Sequence, residues 1–168
     1  MPFDLTNILQ LATLVTLIAG LVFGVMEVRR ARRARADKGA LDVLSIAIKP
    51  DHIEASYAVL ELPEDARPEL VASSPQLRRY ANMLMVQYEY LGNLVYQRIV
   101  PLDTLDLLVG GVIRASWKRL RPYIEEQRSE TNLLNMAEWF EWLANRLEKY
   151  GRPEKAVGAH AAFKDWEP

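Results

Sequence analysis

Twenty-two consecutive residues, Leu5 to Met26, carry no charged side chain. No other feature of the chain narrows its possible structures as much. As an α-helix the run extends about 33 Å, at roughly 1.5 Å per residue, which matches the hydrocarbon core of a bilayer. A buried core helix of a soluble protein is one competing reading, but at this length such a helix ordinarily keeps a polar stripe. Here the polar residues Asn7, Gln10, Thr13 and Thr16 are uncharged and gather mostly toward one end. A cleaved signal peptide is the other. It sets positive charge before the apolar stretch, whereas the only charged side chain before this one is Asp4, and the arginines follow it. That order is the one expected of a stop-transfer helix.

Residues 29 to 38 hold Arg29, Arg30, Arg32, Arg33, Arg35 and Lys38 against a single acid, Asp37. The positive-inside rule predicts that this side lies in the cytoplasm and the short N-terminal tail outside. Arginines directly beside a membrane helix are expected to meet anionic lipid headgroups. From Gly39 onward there are 15 basic and 19 acidic residues, a net of −4. Phosphate binding needs a concentrated positive surface, so nucleic acid is not an expected partner. The chain has no cysteine, which excludes disulfides, zinc–cysteine sites and cysteine nucleophiles.

Within the apolar run, Thr13, Thr16, Gly20 and Gly24 recur at spacings of three, four and four and share one helical stripe. Gly20 and Gly24 form a G-x-x-x-G pair, the pattern that lets two membrane helices approach closely. Glycine is also simply common in membrane helices; the aligned threonines favour the packing face. The run has no histidine and no ionisable residue at its centre. An axial haem or pigment ligand and a proton or ion relay therefore lack their usual residues, and no cofactor is expected.

The remainder reads as all-α. Asp51 is expected to cap a helix through Leu60, and residues 63–73 a loop with at most one helical turn. Ser74-Pro75 is a strong helix start. Leu77, Ala81, Leu84, Tyr88, Leu91 and Val95 then recur at helical spacing, with Met83, Val86, Tyr90 and Leu94 as a second apolar side. Asp103 and Asp106 are expected in the first turn of the next helix, favoured there by its dipole rather than acting as a catalytic carboxylate pair. Leu105, Leu108, Val112, Ala115 and Trp117 carry its apolar content, Gly110-Gly111 is expected at a close helix crossing, and Arg121-Pro122 at a kink. The last helix is expected from Asn132 to Tyr150 on the stripe Leu133, Met136, Phe140, Leu143 and Leu147, flanked by Trp139 and Trp142 read as core, with Gly151 as C-cap. Phe163 and Trp166 are expected to dock the tail onto a surface.

Three stretches carry a family resemblance: Leu-Glu-Leu-Pro at 60 to 63, Gly92 to Pro101, and the Trp139 to Leu147 run Trp-Phe-Glu-Trp-Leu-Ala-Asn-Arg-Leu. Together they resemble a family of uncharacterised bacterial proteins catalogued as a domain of unknown function. The resemblance implies an N-terminal membrane anchor, a basic stretch, a helical cytosolic domain and a bacterial inner-membrane location. It implies no catalytic residue.

The expected organisation is a transmembrane anchor at 1–28, a basic juxtamembrane segment at 29–40, a cytoplasmic bundle of four to five helices at 41–150 and a tail at 151–168. The expected role is a non-enzymatic accessory or scaffold subunit beside a larger membrane complex, respiratory, photosynthetic or secretory. Its partners would be lipid and other membrane subunits or a second copy. A membrane-tethered sensor or an enzyme with a small-molecule site between helices is the alternative. His52 and His160 show no metal-ligand or catalytic spacing, and neither is expected to be catalytic.

Overall fold

The computed structural model describes residues 5–151, 158–162, 164, 165 and 167, with the side chains at 5–8, 32, 33, 35, 36, 159 and 162 outside the described set. Among these residues every regular element is a helix: α1 Leu5–Ala47, α2 Pro50–Leu60, α3 Pro68–Ala72, α4 Pro75–Tyr96, α5 Leu102–Leu105, α6 Gly111–Thr131, α7 Glu138–Tyr150 and α8 Ala159–Ala162, with a π-helical turn at Asp106–Gly110 joining α5 to α6. The chain divides into two compact units, Met1–Lys38 and Gly39–Pro168. The fold is thus all-α, an apolar N-terminal helix followed by a helical domain. Phe163 and Trp166, expected to dock the tail, lie outside the described residues, as does Asp4.

Prolines and polar caps start the helices much as their chemistry requires. Pro50, Pro68 and Pro75 each occupy a first helical position, where a missing N–H costs nothing. Ser74 caps α4, its Oγ accepting from the Leu77 N–H at 3.2 Å. Asp51 is not a cap: Lys49 holds that position without a side-chain bond, and Asp51 sits in the first turn instead. α1 is helical through Ala47.

The core of the second unit is built by α4, whose Ala81, Leu84, Met85, Tyr88, Leu91, Leu94 and Val95 are buried. The expected second apolar side is only partly used, because Val86 and Tyr90 remain exposed. α7 crosses α4 with Phe140, Leu143, Ala144 and Leu147 buried, and Phe140 lies between Tyr88 and Trp117, at centroid distances of 4.9 and 5.1 Å. From α5 through the π turn to α6 the buried apolar side chains are Leu105, Val109, Ile113, Trp117, Leu120, Tyr123 and Ile124, not the expected Leu108, Val112 and Ala115. The π turn explains the shift: i→i+5 bonding takes in one extra residue and rotates the following face by one position.

α6 runs on through Pro122. Proline has no N–H for the Lys118 carbonyl one turn earlier, and the Asp65 N–H reaches that carbonyl instead, at 3.0 Å. α6 then ends at Thr131, and the segment 132–137 is a turn rather than the start of α7. Asn132 takes φ 55° at the end of α6, a left-handed conformation that asparagine tolerates. Leu133 and Leu134 consequently stay exposed.

Candidate functional site

In the first unit, Leu9–Ala31 is long and apolar enough to cross a membrane, and none of it is buried in the fold. Thr13, Thr16, Gly20 and Gly24 all lie on this exposed helix. A Cβ added at Gly20 or Gly24 would meet nothing within 4 Å, so their face is open. The threonine hydroxyls are already engaged: Thr13 Oγ1 donates to the Leu9 carbonyl at 2.8 Å and Thr16 Oγ1 to the Ala12 carbonyl at 2.9 Å. They present accepting oxygens, not free donors, to any neighbouring helix. Of the basic cluster, Arg29, Arg30 and Lys38 are exposed, while the Arg32, Arg33 and Arg35 side chains lie outside the described residues.

In the second unit, two acids expected to act alike are separated by the π turn. Asp103 stays at the surface and accepts from the Thr104 N–H at 2.8 Å. Asp106 is instead buried and ion-paired with Arg114 at 2.6 Å, their side chains 4 % and 15 % exposed. Arg114 also donates to the Leu147 carbonyl at 3.4 Å, near the end of α7, where a helix favours a cation. Two glycines make the space. A Cβ at Gly110 would strike the Asp106 carboxylate, and one at Gly151 would lie 2.9 Å from Arg114 Nη1 and 3.1 Å from Asp106 Oδ2. The Gly110-Gly111 pair is therefore not a helix crossing. Gly110 accommodates a carboxylate, and Gly111 faces open space.

The crossing glycine is Gly92 on α4, where a Cβ would run into the backbone carbonyl of Trp139. That approach presses the start of α7 onto α4 and sets Trp139 and Trp142 beside Tyr96, at centroid distances of 4.6 and 6.0 Å. Arg146 extends the row, its guanidinium 5.4 Å from the Trp142 ring and 5.8 Å from the Tyr150 ring. Trp139 and Trp142 were expected in the core, but they are only half-buried, while Tyr96 and Tyr150 are exposed. The sequence signal for this surface is the spacing 139, 142, 146, 150, one helical stripe beside the buried one.

The two histidines lie in different surroundings. His52 is buried, its Nδ1 paired with Gln87 Oε1 and its ring edge-on to Tyr88 at 5.8 Å. His160 is exposed on α8. Among the described residues no three metal-ligating side chains converge. Behind His52, burial holds the Tyr88 hydroxyl above the ordinary tyrosine range, and the Ser56 and Ser116 hydroxyls pull it back in part.

The start of α7 has no cap of its own. Ala137 precedes it at φ 56° and offers no side-chain acceptor. Glu89 supplies one from α4, its Oε2 accepting from the Trp139 N–H at 2.9 Å and the Phe140 N–H at 3.0 Å. Burial raises the Glu89 carboxyl above its ordinary 4.5, against the lowering effect of those two N–H groups. A raised folded value means that the folded state binds the proton more tightly. Its contribution to stability is then largest below 4.5 and shrinks as pH rises through the raised folded value. Wild type should therefore gain stability relative to Glu89→Gln as pH falls from 7 toward 4. Paired urea titrations across that range measure the difference; a constant or opposite trend would contradict it.

The family model described as Domain of unknown function (DUF4760) matches residues 14–147. No curated protein and no solved structure matches the chain. The match opens inside the apolar segment and closes on Leu147, the last buried leucine of α7, so it takes in the exposed helix and the packed domain together. The chain therefore belongs to the DUF4760 family, a domain of unknown function.

Proposed function

We propose that this chain is a non-enzymatic, single-pass accessory protein of a bacterial cytoplasmic membrane. Its N-terminus lies outside, its helical domain lies in the cytoplasm, and it binds another membrane protein through that domain. The observation that carries the reading is the Tyr96–Trp139–Trp142–Arg146–Tyr150 surface. Tryptophan, tyrosine and arginine are the residues that dominate binding energy at protein interfaces. Here they form one row on the surface instead of filling the core. The tether supports the choice of partner. Leu9–Ala31 finds no burial within the chain, and a bilayer removes that apolar surface from water. The arginines after it favour a cytoplasmic domain by the positive-inside rule. Gly20 and Gly24 add a second, weaker contact with a neighbouring membrane helix.

Co-purification from native membranes in mild detergent, with tagged wild type and two double variants, tests the proposal. Trp142→Ala with Arg146→Ala should reduce recovery of the same membrane-protein partner by about tenfold or more, as expected for two interface residues worth about 1 kcal/mol or more each. Gly20→Ile with Gly24→Ile should weaken recovery less, while Leu14→Ile with Leu21→Ile should leave it unchanged. Equal recovery of the partner with wild type and the Trp142/Arg146 variant would sink the docking role. Equal recovery with the glycine variant would make the membrane helix a plain tether.

A further inference from the structure

Behind the last turn of α1, a cavity of about 370 Å³ opens between Ala47, the α2 face of His52, Ile53, Ser56 and Leu60, and the π-turn region at Leu108 and Val112. All of the lining residues belong to the second unit. The volume falls within the range of small-molecule sites, about 300–1,000 Å³. Its walls are aliphatic, and no Asp, Glu, Lys or Arg lines it among the described residues. An ionised ligand would lose its hydration there without a partner.

The polar groups of the cavity lie on α2. His52 Nδ1 is taken by Gln87 Oε1, an acceptor, so Nδ1 carries the proton and Nε2 is left as the acceptor. Ser56 lines the same wall, with its hydroxyl buried beside Tyr88. At the rim, Ile53, Tyr57 and Leu108 expose apolar surface that the domain itself does not cover. The π turn helps make the opening. By shifting the buried face to Val109 and Ile113 it leaves Leu108 outward and Val112 half-buried, and π turns recur at functional sites.

We propose that this cavity binds an uncharged amphiphile, an apolar chain or ring system bearing one hydroxyl, with the hydroxyl donating to His52 Nε2. The aliphatic walls hold the apolar body. The site stands apart from the aromatic surface on α4 and α7. Its occupancy would make the domain responsive to a small molecule whether or not the aromatic surface docks a protein.

The probe is a ten-carbon primary alcohol carrying a chain diazirine, added to the full chain in nanodiscs of phosphatidylcholine and phosphatidylglycerol. Irradiation followed by peptide mapping locates the adducts. Labelling is expected at residues 52–60 and 107–112, and it should saturate and be displaced by 1-decanol. Decane at equal bilayer concentration should compete about fivefold more weakly, the effect of one neutral hydrogen bond. Val112→Trp and Ile53→Trp, both at partly exposed positions, fill the cavity, and each should abolish displaceable labelling at these segments while adducts in Leu9–Ala31 persist. Adducts confined to Leu9–Ala31, labelling at α2 that 1-decanol does not displace, or labelling that survives in both tryptophan variants would overturn the site. Equal competition by decane would overturn the hydroxyl contact with His52.

Discussion

Arg114→Met is expected to lower the unfolding free energy of the helical domain by about 3 kcal/mol, the order found when one partner of a buried ion pair is removed. Asp106 is the reason. Its side chain is 4 % exposed and bonded to Arg114 at 2.6 Å, so loss of the guanidinium takes a short charged contact away from a buried carboxylate. Arg114 also joins α6 to the Leu147 carbonyl on α7, and methionine makes neither bond. Asp106→Leu introduced together with Arg114→Met should recover much of the loss, because removing both charges also removes the desolvation cost. Urea denaturation of the full chain in detergent, read as a shift of midpoint at constant slope, measures both effects. A loss below about 1 kcal/mol for Arg114→Met would show that the pair is not a principal support of the helical domain.

Gly92→Ala should be about as damaging, near 3 kcal/mol, the upper part of the range for overpacking, or a fall in melting temperature of about 10 °C for a domain of this size. The added methyl would meet the carbonyl carbon, the oxygen and the Cβ of Trp139. Backbone atoms at a helix crossing cannot step aside as a flexible side chain can. Moving α7 away would also loosen Phe140 from Tyr88 and Trp117 and stretch the Glu89 cap. Gly111→Ala is the internal control. Its Cβ faces open space in a helix, so alanine should stabilise by up to about 1 kcal/mol. Thermal melts of the two variants beside wild type decide the matter. Equal effects of the two substitutions would show that helix propensity, not the crossing, governs Gly92.

The two predictions rest on features that differ in how far they could be read from the residues. Gly92 stands in a stretch recognised for its resemblance, but no local pattern told a crossing glycine from a tolerated one. Gly110-Gly111 drew the crossing reading because the pair is conspicuous, and only the fold shows that one glycine shelters Asp106 while its neighbour faces open space. Asp106 followed the dipole rule on paper. The π turn then carried it inward, to Arg114, eight residues along the chain.

Local physics was enough for the apolar segment, the Ser74-Pro75 start of α4 and the buried stripes of α4 and α7, because each depends on side chains within a few residues of one another. A charge-free run is apolar wherever it sits, a serine caps its own helix, and a 3.6-residue period marks one face. Whatever needed a partner from another element was decided only in three dimensions. Glu89 caps α7 from α4, fifty residues away in sequence, where Ala137 offers nothing. The Asp65 N–H takes the carbonyl for which Pro122 has no donor, and α6 stays helical through the proline. Trp139 and Trp142 stand in a surface row because Tyr96 and Arg146 gather there, and the π turn moves the buried face of α6 by one residue. Hydrogen bonds and volume are satisfied over the whole fold, and a sequence window sees only the part of that accounting that closes within itself.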